Sequence, residues 1–92
     1  GEGKTIMVVE RRQDIQDLLR EKLKNRGYRV LVLGDPQRAI SRFSSADEQG
    51  ADCVIVSAIN LGNDALDLFN HLGEQSNTKD LPCLLLADKR QV

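Results

Sequence analysis

Four short apolar runs recur at intervals of about 25 residues along the chain: Ile6-Met7-Val8-Val9, Val30-Leu31-Val32-Leu33, Val54-Ile55-Val56 and Leu84-Leu85-Leu86. None alternates apolar with polar residues, so each is expected to be a strand buried on both faces, as in a parallel sheet. Helical spacing fills the gaps. Ile15, Leu18, Leu19 and Leu23 follow the i, i+3, i+4, i+8 rule, with Asp14, Asp17, Arg20, Glu21 and Lys24 around the rest, and Gly27 supplies a left-handed stop. Asp35-Pro36 reads as an N-cap followed by proline at the first helical position, opening a helix with Ala39, Ile40 and Phe43 inward. A third helix carries Ala65, Leu66, Leu68, Phe69 and Leu72 and is closed by Gly73. The polar stretch 74–80 reads as a surface loop, from which Leu81-Pro82 leads into the last strand.

The order is β-α-β-α-β-α-β, which predicts an α/β fold: a doubly wound parallel sheet with helices on both faces. At 92 residues the chain is one domain, residues 1–92. Hydrophobic residues make up 40% and charged residues 29%, which is enough apolar content for a small folded core.

Charge and composition then exclude several functions. Thirteen basic residues against 14 acidic ones, with both signs scattered, give no basic stretch of the density that nucleic acid demands. Tyr28, Phe43 and Phe69 are too few and too far apart to stack bases. The longest apolar run, Cys83 to Ala87, is far short of the ~20 residues of a membrane span, and no secretory signal pattern is present. Cys53 and Cys83 sit inside apolar runs and read as reduced core thiols. These features predict a cytoplasmic domain with neither nucleic acid nor membrane as partner. Gly3-Lys4-Thr5 matches the tail of a phosphate-binding loop, but it precedes a strand instead of opening a helix, so its backbone N–H groups cannot converge on phosphate.

The segment Val8-Val9-Glu10-Arg11-Arg12-Gln13-Asp14-Ile15-Gln16-Asp17-Leu18-Leu19, running on to Arg26-Gly27-Tyr28-Arg29-Val30, resembles the opening of a CheY-like receiver domain from bacterial two-component signalling. The resemblance continues through Asp35 to Ile40, through Ala51-Asp52-Cys53-Val54-Ile55-Val56-Ser57, through Asp64 to Leu68 and through Leu81 to Leu86. It implies the flavodoxin-like strand order 2-1-3-4. It also implies a chemistry: magnesium-dependent phosphoryl transfer to an aspartate ending the third strand. Two acids ending the first strand hold the metal, with a hydroxyl ending the fourth strand and a lysine ending the fifth.

Carried over residue by residue, that set is degenerate. The two acid positions fall on Glu10 and on Arg11, a permanent cation; the acceptor position falls on Ser57 and the switch hydroxyl on Ala87. Three acids would sum to −3, whereas Glu10 and Arg11 sum to about zero. One unit charge at 4 Å is worth about 4 kcal/mol at an effective dielectric of ~20, so metal affinity should be lost. No cofactor and no metal are therefore expected. Asp88 could overlook the pocket, and Arg11 is expected either to pair with Glu10 or Asp88 or to point to water. Asp52 and Asp64 read as a strand-entry and a helix N-terminal residue, and His71 as part of a solvated helix face.

The family's last helix-strand-helix is absent, so the chain reads as a fragment or N-terminal domain of a longer protein. Its last strand would then be an open edge that invites pairing, including homodimerisation. The expected function is a pseudo-receiver, not an enzyme: a signalling module that regulates an output domain on the same chain, or a kinase, cyclase or transcription factor, through protein contacts. The alternatives are a phosphorylatable receiver using Asp88, Asp64 or Ser57, and a small-molecule site at the carboxyl ends of the strands.

Overall fold

The computed structural model describes residues 3–44, 51–75 and 78–87. Its elements run β1 (Thr5–Val9), α1 (Gln13–Asn25), β2 (Arg29–Leu33), α2 (Pro36–Ser44), β3 (Cys53–Ser57), α3 (Ala58–Leu61), α4 (Asn63–Glu74) and β4 (Cys83–Leu86). The four strands form one parallel sheet in the order β2-β1-β3-β4, as the sequence led us to expect.

Alternate residues of the strands feed two cores. Met7, Val9, Val54 and Val56 face α2 and α4, where they meet Ala39, Leu61, Ala65, Leu68 and Leu72. Ile6, Val8 and Ile55 face the other way, against Leu19, Leu23 and Tyr28. Each aliphatic side chain withdrawn from water in this way is worth roughly 1.5–3 kcal/mol.

Local signals set the element ends. After α1 the Gly27 N–H donates to the Lys24 carbonyl at 2.9 Å and the Tyr28 N–H to the Leu23 carbonyl at 3.2 Å, with Gly27 at φ 90°. This is the paired bonding of a Schellman motif, and Leu23 and Tyr28 both pack against the cluster of Ile6, Val8 and Ile55. At α2 the Asp35 carboxylate accepts from the Gln37 N–H at 3.0 Å, and Pro36 takes the first helical position. Asp52 ties the start of β3 to β1: its carboxylate accepts from the Thr5 N–H at 2.8 Å.

Several expectations need correction. Only β1 and β3 are buried along nearly their whole length. β2 is half-buried, and β4 alternates, with Leu84 56% and Leu86 36% exposed. Both are outer strands, and among the described residues α1 packs over the β2 side and no element covers Leu84 and Leu86. Leu18, Leu66 and Phe69 are likewise exposed where the spacing grouped them with the apolar face.

Gly73 does not end its helix, because α4 continues to Glu74. The stretch 74–80 is not wholly solvated either: Thr78 is buried and its hydroxyl donates to the Leu72 carbonyl at 2.7 Å, satisfying one of the helix's terminal acceptors. Both cysteines are free, but half-buried instead of fully buried.

Candidate functional site

The carboxyl ends of β1 and β3 lie side by side, and the register pairing Val9 with Val56 brings the next residues, Glu10 and Ser57, together. Glu10 extends the ladder one step beyond β1: its N–H donates to the Leu33 carbonyl at 3.0 Å. Its own carbonyl accepts from Gln16 Nε2 at 2.5 Å, which fastens the first turns of α1 over the end of the sheet. The Glu10 side chain is fully buried. One oxygen, Oε1, accepts from the Arg12 N–H at 3.1 Å and from Asn60 Nδ2 at 2.6 Å. The other, Oε2, is buried and has no partner among the described residues. A buried carboxylate is expensive unless donors meet it, so this pair of bonds decides where the group points.

Among the described residues Arg11 pairs with Asp64 and not with Glu10. Its guanidinium lies 3.6 Å from the carboxylate of Asp64, and the two side chains are 54% and 60% exposed. Asp64 is indeed in the first turn of α4, where a negative charge also suits the helix dipole. Ser57 closes β3 and is 2% exposed, and its side chain makes no capping bond to α3. Ala87 follows Leu86, the register partner of Ser57, and is exposed. The structure thus brings Glu10, Ser57 and Ala87 to the same end of the sheet. Asp88 lies outside the described residues.

Asn60 is the residue that sequence reasoning missed. It comes from α3, a four-residue helix that the hydrophobic spacing does not predict, and meets Glu10 across fifty positions of chain. Gly62 follows at φ 58° and ψ −129°, a conformation open to glycine, and both ends α3 and starts α4. A glycine flanked by Leu61 and Asn63 was the available signal for this break.

Among the described residues no group of three or more His, Cys, Asp or Glu side chains stands close enough to hold a metal ion. An open cleft of about 450 Å³ runs between α2 and α4, lined by Asp35, Pro36, Ile40, Asp64, Asp67 and His71. His71 is only partly exposed there. No described helix is long and apolar enough to cross a membrane.

No protein-family model matches the chain. It is 35% identical over 82 residues to the uncharacterized transcriptional regulatory protein YrkP of Bacillus subtilis, covering 89% of this chain and 32% of that protein. The chain therefore spans about a third of the length of that relative. Among solved structures it superimposes on the N-terminal domain of a response regulator receiver protein from Methanoculleus marisnigri with a TM-score of 0.81. That match has 22% identity and covers 96% of this chain and 69% of that one. It also superimposes on the receiver domain of a sensor histidine kinase from Pseudomonas aeruginosa, solved with magnesium coordinated in its active site cleft. There the TM-score is 0.79 at 24% identity, over 95% of this chain and 69% of that one. Strand order, the helices on both faces and these superpositions agree: the chain has the fold of a CheY-like receiver domain.

Proposed function

We propose that this chain is a receiver-like signalling module that works through protein–protein contacts without phosphoryl transfer, and that it has no catalytic activity of its own. The observation that carries this reading is the state of Glu10. Among the described residues it is the one buried carboxylate, with Oε1 already held by Asn60 and the Arg12 N–H. Magnesium wants several anionic oxygens in an octahedron, and an acyl phosphate needs a carboxylate as acceptor. The donors among the described residues do not fit that ion, and a serine, Ser57, stands where the resemblance puts the acceptor. Asp64, one alternative acceptor, stands exposed in the first turn of α4 with the Arg11 guanidinium 3.6 Å away.

The partner is a protein: an output domain on the same polypeptide, or a separate kinase, cyclase or transcription factor. The outward side of α1, the α3 segment and the β4 edge are the contact surfaces, and the same edge would serve a homodimer. The test is an amide-resolved NMR titration of the full-length polypeptide with Mg²⁺, then with Mg²⁺ and beryllofluoride as an acyl-phosphate mimic. The expected result is no movement at Glu10, Ser57 or Ala87. Saturable shifts clustered at those residues would replace this reading with a working phosphoacceptor.

A further inference from the structure

We infer that Asn60 is a built-in plug of the Glu10 pocket: a positioning residue whose amide takes the place a divalent cation would need and ties α3 to the end of β1. The inference rests on the reading above, in which the pocket does not take magnesium. Three observations carry it. The Asn60 amide is 2.6 Å from Glu10 Oε1, whereas Oε2 of the same buried carboxylate has no partner among the described residues. Among the described residues the carboxylate is therefore held through Oε1 alone, by the Arg12 N–H from its own loop and by a neutral amide from β3's side of the pocket.

Asn60 is also held in place from both sides. Ala58 and Leu61 are 6% and 5% exposed, anchoring α3 in the core, while Ile59 between them faces solvent at 50%. The Gly62 N–H closes the turn onto the Ala58 carbonyl at 3.1 Å. The anchored four-residue turn keeps the amide against Oε1, where it competes with any cation for that oxygen. The Arg11–Asp64 pair makes a second crossing between the β1–α1 loop and the first turn of α4. The α3 segment is thereby held chiefly by the Asn60–Glu10 bond and its own buried residues, so a partner reading it meets a form that does not depend on a bound ion.

The test uses the whole chain, ¹⁵N-labelled, as parent, Asn60→Ala and Asn60→Asp. Removing the amide should speed hydrogen exchange of the Ile59 to Gly62 amides at least about ten-fold and shift the Arg12 amide, since a hydrogen bond to a charged group is lost. Asn60→Asp sets a second carboxylate beside Glu10. It should give saturable Mn²⁺ broadening at Val9 to Arg12 and Ser57 to Leu61, at least about ten-fold tighter than any in the parent. If either arm fails in a folded variant while the parent ignores Mn²⁺, the plug is overturned and the proposed function stands. Saturable Mn²⁺ binding by the parent at these amides overturns both. Should one variant not fold, the other decides.

Discussion

Leu68 and Leu66 are two residues apart on α4 and have opposite surroundings, so truncating each in turn tests how the helix is seated. Leu68 is 1% exposed and belongs to the core with Met7, Val9, Val54 and Val56; Leu66 is 47% exposed. Leu68→Ala removes three carbons, at about 0.8 kcal/mol each, or about 2.4 kcal/mol of transfer free energy. An unrelaxed void of roughly 60 Å³ at about 24 cal/mol per Å³ adds about 1.4 kcal/mol. The expected loss is therefore about 3–4 kcal/mol, a large part of the total stability of a chain this size, which lies near ~5–14 kcal/mol. In urea melts with a slope near 1 kcal/mol/M, the midpoint should drop by about 3 M. Leu66→Ala leaves no void and loses only part of the transfer term, about 1 kcal/mol or less, because half of the side chain is already in water. Equal losses for the two variants would refute the seating of α4, showing that its outer face is covered or that the helix is rotated.

Three further outcomes follow from the structure. Gly62→Ala should cost about 1–3 kcal/mol in the same melts although nothing crowds the position, because φ 58° with ψ −129° strains any residue with a Cβ; an unchanged midpoint would refute that backbone geometry. Arg11→Ala should change stability by less than about 1 kcal/mol, as its pair with Asp64 is exposed; a larger loss would mean the pair is shielded from water. Burial, with a smaller push from nearby Cys53, raises the Cys83 thiol from 9.0 to about 11. Its alkylation at pH 8 should then run about 100-fold slower than in the urea-unfolded chain and quicken about ten-fold per pH unit. Because the folded thiol holds its proton more tightly, this contribution to stability is full below pH 9 and lost as pH rises towards 11. Equal alkylation rates folded and unfolded at pH 8 would refute the burial.

Much of the fold was legible because it is written in short-range terms. The unbroken apolar runs gave the four strands, and Gly27 and Asp35-Pro36 gave helix ends that the hydrogen bonds match; the order of neighbours in the sheet came instead from the resemblance to CheY-like receivers. The same reasoning placed Asp64 at a helix start, where it lies in the first turn of α4, and Asp52 at a strand entry, where its carboxylate accepts from the Thr5 N–H. It misjudged Gly73, which is helical, because a glycine near the end of an apolar pattern signals a stop only if the chain turns there.

The sequence by itself determined which residues become strands and helices, since hydrophobic period and turn chemistry act within a few residues. It also put Glu10, Arg11, Ser57 and Ala87 at strand ends, because a parallel sheet brings the ends of its strands to one side. Only the tertiary structure decided which side chains meet there. Asn60 finds Glu10 across fifty residues, and Arg11 finds Asp64 instead of the acid beside it. It also decided that Leu84 and Leu86 lie bare while Met7 and Val9 are sealed. An apolar run records only that a strand can be buried; whether it is depends on what the rest of the chain lays over it.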